Sequence, residues 1–233
     1  MNDQLTSKQK IFFRFFYRFR RRLWSHLFEA EKAGTEASIP KIDLQPRNIR
    51  NLKSQASRTE LLESMPKNAV TAEIGVDHGD FSELIKGITS PKKMHLIDAW
   101  ADENRYHGGL KKIVEDKFQN EIANGAVELN VGFSTSVLPG FPDYYFDWVY
   151  LDTDHSYETT KAELAILKSK VKAGGIIAGH DYTIGNWITG QRYGVIEAVN
   201  EFCVTEDWEM ICLTVETDQY RSFAIKKIVP VIA

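Results

Sequence analysis

The chain has 233 residues, 43% of them hydrophobic, enough to bury a full core as one domain plus an extension. Its net charge of -3 gives no overall reason to expect nucleic acid as a partner, and no run of about 18 uncharged apolar residues makes a membrane-spanning helix. Cys203 and Cys212 lack the spacing of a zinc site or a disulfide framework, and no small-residue cleavage site follows an apolar core, so a cytoplasmic location is expected.

The charge is unevenly spread. Residues 8–28, KQKIFFRFFYRFRRRLWSHLF, hold eight aromatics and no acid, with Arg14, Arg18, Arg21 and Arg22 at helical spacing. A basic, aromatic helix suits peripheral contact with a membrane interface or a hydrophobic partner, including a second copy of the chain. It equally suits packing on its own domain, and an arginine-rich, acid-free organellar targeting segment is a further reading. From Ala33 to Asn51 small and polar residues with Pro40 and Pro46 read as a linker, which sets an arm and linker at 1–50 and a compact domain at 51–233.

The domain opens with a short helix from Ser57 to Met65, with Glu60 three residues after its cap, closed by Pro66. A buried strand through Ile74 then breaks into Gly75-Val76-Asp77-His78-Gly79, where glycines permit close backbone approach and Asp80 can cap the next helix. Asp77 stands at the middle glycine of the dinucleotide fingerprint, and the loop lacks the lysine of a phosphate-binding loop, which argues against a pyrophosphate ligand. A second strand, Met94 to Ile97, ends in Asp98, 25 residues after Glu73, where an acid can reach the ribose of a nucleotide held at the first loop; Trp100 can flank it. A helix over 108–124 and a third strand, Val127 to Val131, lead to the loop at Ser134.

A fourth strand, Phe146 to Leu151, runs into Asp152-Thr153-Asp154-His155-Ser156-Tyr157, and a fifth, Ile176 to Ala178, into Gly179-His180-Asp181-Tyr182. Ligands of open α/β sheets bind at such carboxyl ends. A helix from 194 to 202 and two strands near 209–215 and 222–228, joined by a short turn and so antiparallel, complete an α/β sheet. Asp152, Asp181 and His180 could instead serve as helix caps and an interior histidine.

Taken in order, EIGVDHG at 73–79, LIDAW at 96–100, FDWVYLDTDHSYE at 146–158 and GGIIAGHDY at 174–182 resemble the motifs of class I S-adenosylmethionine-dependent methyltransferases. Among these the chain looks like the small-molecule O-methyltransferases related to the macrocin and catechol enzymes. The resemblance implies a Rossmann-like, doubly wound sheet of seven mostly parallel strands with the last antiparallel. It implies S-adenosylmethionine as cofactor, with Glu73, Gly75 and Gly79 at the first loop, Asp98 on the ribose, Ser134 near the adenine and Asp152 at the strand end, and a small-molecule hydroxyl as acceptor. Asp152, His180 and Asp181 match the places of a divalent-cation site in metal-dependent members. His180 departs from the macrocin pattern, which has a second aspartate there; magnesium prefers oxygen ligands, whereas an imidazole suits manganese, iron or zinc. Asp154 matches the place of the proposed base, with His155 its competitor because an imidazole titrates near neutrality. Acceptor selectivity is expected in the loop 101–109, with Arg105, Tyr106 and His107.

Overall fold

A computed structural model describes residues 16, 19, 33, 34, 36–101, 109–186, 189–217 and 220–229. Apart from Phe16 and Phe19, which are helical and exposed, the basic arm 8–28 with its five arginines lies outside the described residues, as do Arg105, Tyr106 and His107. The chain divides into two units, Met1–Pro40 and Lys41–Ala233, and all that follows concerns the second.

Eight strands form one sheet: β1 (Lys53–Gln55), β2 (Val70–Ile74), β3 (Lys93–Asp98), β4 (Val127–Val131), β5 (Phe146–Leu151), β6 (Val171–Gly179), β7 (Trp208–Thr214) and β8 (Phe223–Lys227). Their order is β1-β7-β8-β6-β5-β2-β3-β4, with β8 antiparallel to both neighbours and every other pairing parallel. Seven of these strands make the expected doubly wound sheet; β1 is an added edge. Its three residues are polar and mostly exposed, so no apolar pattern announces it.

The central strands β2, β3 and β5 are buried over nearly their whole length, as a parallel sheet covered on both faces requires. By contrast β7 alternates buried and half-buried residues along all seven positions. The helices are α1 (Arg58–Ser64), α2 (Asp80–Thr89), α3 (Leu110–Lys117), α4 (Gln119–Ala123), α5 (Ser134–Val137), α6 (Tyr157–Lys170) and α7 (Val195–Thr205). Leu61, Leu62, Ile85, Met94, Leu96, Trp148 and Tyr150 are core residues between helices and sheet.

Three local expectations change. The helix expected over 108–124 is two helices, because the chain leaves helical geometry at Phe118, whose ring is fully buried. The cap of α2 is Gly79, in the left-handed region at φ 77°, and Asp80 is instead the first helical residue, paired with Lys117. Residues 41–50, expected to wrap or trail outside the core, wrap and are anchored in it: Asn48 is fully buried and donates to the carbonyls of Cys203 and Trp208, while Arg47 pairs with Asp207 and Lys41 with Glu197.

Running from β2, the chain builds β3 and β4 to one side, then returns to place β5 on the other side of β2. The carboxyl ends of β2 and β5 therefore meet at the switch point of the sheet, where such folds open a crevice.

Candidate active site

A cavity of about 670 Å³ opens at this switch point. Its floor is main chain. A side chain on Gly75, at φ 88°, would put its Cβ 1.8 Å from the carbonyl oxygen of Asp152, so the first loop and the end of β5 touch backbone to backbone. The amide of Asp152 donates to the carbonyl of Ile74, and that of Gly75 to the carbonyl of Ile97, which ties β2 to both neighbours at one level. Four residues other than glycine take the left-handed conformation just past the ends of β2, β3, β5 and β6: Asp77, Trp100, His155 and Asp181. Such conformations cost energy and persist only where the surroundings impose them.

Asp98 organises one wall. One carboxylate oxygen accepts from the amides of Val76, at 2.8 Å, and Asp77, at 3.1 Å, and the other from the amide of Trp100 at 2.7 Å. The indole of Trp100 in turn donates to the carbonyl of Asp77. Glu73 lies beneath, 2% exposed, and accepts from the hydroxyl of Ser82. Burial pushes its carboxyl well above the usual range, and the nearby Asp152 adds to this. Ser134 lines the cavity, yet its hydroxyl turns away to donate to Glu163 at 2.5 Å, while the exposed ring of Phe133 stands beside it.

At the ends of β5 and β6, Asp152, His155 and Asp181 each offer a ligand atom within 4.8 Å of the others. Nδ1 of His155 is 3.2 Å from Asp181, and Nδ1 of His180 is 3.3 Å from Asp181 and 3.6 Å from Asp152. The compact trio thus contains His155, expected as a base, whereas His180 flanks it. Oδ1 of Asp181 and Nε2 of His180 are buried and have no hydrogen-bond partner among the described residues. Burial pushes Asp152 up, the charge of Asp181 adding to it and that of His180 opposing it. Burial disfavours the charged form of His180, and the Asp181 and Asp152 carboxylates outweigh it, leaving its pKa raised. Asp154 is placed differently: it accepts from the amide and hydroxyl of Ser156 and from the hydroxyl of Thr159, at 2.8 to 2.9 Å, in the first turn of α6.

Residues 72–182 match a family model described as a methyltransferase domain. The match spans a little under half of the chain, and the mostly parallel sheet agrees with it. Gly75, Asp98 and Asp152 all lie within the matched residues, at the carboxyl ends of β2, β3 and β5. Six acids line the methyltransferase cavity, Glu73, Asp77, Asp80, Asp98, Asp152 and Asp154, a field suited to a sulfonium ligand.

The pyocyanin biosynthetic protein PhzM is similar in structure with a TM-score of 0.56, at 13% identity over 73% of this chain and 54% of that one. A Streptococcus mutans protein solved in complex with SAH follows at 0.53, at 13% identity over 73% and 96%. Among curated proteins, the respiratory nitrate reductase 1 beta chain of Escherichia coli (strain K12) is 30% identical over 99 residues, 42% of this chain, and the match spans only 19% of that protein.

Sequence reading missed three residues here. Arg58 lines the methyltransferase cavity from the start of α1. Glu163 is fully buried within the helical stripe Thr160, Glu163, Leu164 and Leu167, where its neighbours would have suggested an apolar residue. Tyr193 packs against His155 at a tilt of 47°, with ring centroids 4.5 Å apart.

Proposed function

We propose that this domain transfers the methyl group of S-adenosylmethionine to a hydroxyl of a small molecule, with a divalent cation at Asp152, His155 and Asp181. The observation that carries this reading is the trio itself, with two buried polar atoms unpartnered beside it, at the rim of the cofactor cavity. Two carboxylates and an imidazole fit manganese, iron or zinc better than magnesium, which favours oxygen ligands. Such an ion, when bound, lowers the pKa of a hydroxyl placed against it.

The chain's own residues do the rest. The backbone of Gly75 and Asp152 fixes donor and acceptor sites side by side, so proximity and alignment supply much of the rate. Asp154 receives the hydroxyl proton as the oxygen takes the methyl group. Three of its roughly four lone-pair positions are engaged within α6, which holds the carboxylate still and leaves one acceptor position open. Phe133, exposed at the cavity edge, offers a flat surface for the adenine.

None of the described residues forms a helix long and apolar enough to cross a membrane. A cytoplasmic enzyme that visits the membrane surface through residues 8–28 accords with the basic, aromatic composition of that stretch.

The test is production of S-adenosylhomocysteine from S-adenosylmethionine with a panel of sugars, phenols and aliphatic alcohols, with manganese and with excess chelator. Turnover with at least one hydroxyl acceptor, suppressed by chelator, is expected. Turnover confined to amine or nucleic-acid acceptors would refute the hydroxyl assignment.

A further inference from the structure

Arg58 is the only arginine or lysine among the described residues lining the cavity, facing six carboxylic acids. Its guanidinium lies over the ring of Phe81, 4.6 Å from the centroid, and no described side chain or carbonyl takes up any of its N–H groups. A half-buried guanidinium among so many acids would ordinarily be paired.

The residue is also held firmly. Ser57 caps α1 by accepting from the amide of Glu60, and the amide of Arg58 donates to Glu216 at 2.7 Å. Glu216 is fixed in turn by the hydroxyl of Thr214, at the end of β7. The side chain is thus supported by Phe81 from below and its backbone amide by Glu216, while none of the described residues takes up its guanidinium donors. Its charge reaches Glu73, Asp152 and Tyr150, which places it at the Glu73 side of the cavity.

We propose that Arg58 is the receptor for a ligand carboxylate, and that this carboxylate belongs to the amino-acid end of the cofactor. The inference rests on the cofactor reading above. S-adenosylmethionine carries two positive groups and one carboxylate: the acids of the cavity suit the first two, and a lone unpaired guanidinium suits the third. A planar fork of donors accepts a carboxylate in two parallel hydrogen bonds, which orients the amino-acid end and with it the sulfonium. Glu73 is already engaged by the hydroxyl of Ser82, at the buried end of the cavity.

The experiment compares two ligands on the full chain by calorimetry: S-adenosylhomocysteine, and 5′-methylthioadenosine, which keeps the adenosine and sulfur and lacks the carboxylate. Arg58→Met should weaken S-adenosylhomocysteine at least about tenfold, as loss of a charged hydrogen-bond partner does, and leave 5′-methylthioadenosine within about twofold. Arg58→Lys should recover part of the loss. Equal losses for both ligands, or unchanged affinity for S-adenosylhomocysteine, overturn the assignment; 5′-methylthioadenosine binding reports that the variant is folded. If the parent binds neither ligand, the cofactor reading itself fails, which is a different result.

Discussion

The hydroxyl of Ser134 and the carboxyl of Glu163 meet at 2.5 Å, and the hydroxyl of Thr153 reaches the second oxygen of the same carboxyl at 3.1 Å. One buried acid on α6 therefore joins the start of α5, after β4, to the loop that follows β5.

Burial pushes Glu163 up to about 7 from an ordinary 4.5. A folded-state pKa raised in this way favours folding while the carboxyl is protonated in both states, and that advantage is lost as pH rises from about 4.5 through about 7. The loss is about 3 kcal/mol at most, since each tenfold change in proton affinity is worth about 1.4 kcal/mol. Urea midpoints at pH 5 and pH 8 should therefore differ in the parent beyond any other titration, and Glu163→Gln, which mimics the protonated acid, should shrink that difference.

Gly75→Ala should lower the melting temperature by about 5 °C or more, because a Cβ at φ 88° meets the Asp152 carbonyl and adds backbone strain. Cofactor affinity should fall with it, so this variant cannot separate binding from folding. Gly87→Ala is the control: the position is helical, exposed and open, and alanine there should stabilise by roughly 0.5 to 1 kcal/mol.

For the ion, manganese binding followed by its paramagnetic resonance gives a readout independent of turnover. Asp181→Asn should weaken binding at least about tenfold, while a metal site elsewhere would leave it unchanged. Asp98 is a poor choice for such tests: its carboxylate accepts three amides, so its removal loosens the wall of the cavity as well as any ribose contact.

Deleting residues 1–32 should release the protein from anionic vesicles at low salt and spare S-adenosylhomocysteine binding. Each basic residue near such a surface contributes about 1 kcal/mol, an attraction that salt screens. Sedimentation of the full chain that is insensitive to salt or to the deletion would count against the membrane role.

The strand ends were legible because they are local: apolar runs stopping at Glu73-Ile74-Gly75, Asp98, Asp152 and His180-Asp181 mark buried parallel strands and their polar exits. What could not be read is set by distant partners. Arg58 gains its place from Phe81 and Glu216, Glu163 from Ser134 and Thr153, and Asn48 from two carbonyls about 155 residues away. The partner of Asp152 and Asp181 depends on the left-handed turn at His155, which spacing alone does not reveal.

Because the Gly75 loop rests on the carbonyl of Asp152, the separation between the first loop and the end of β5 is set by two peptide backbones and not by side chains. On the methyl-transfer reading proposed above, evolution can exchange the residues around the acceptor freely while the transfer distance stays constant, as a machinist changes the workpiece without moving the vice.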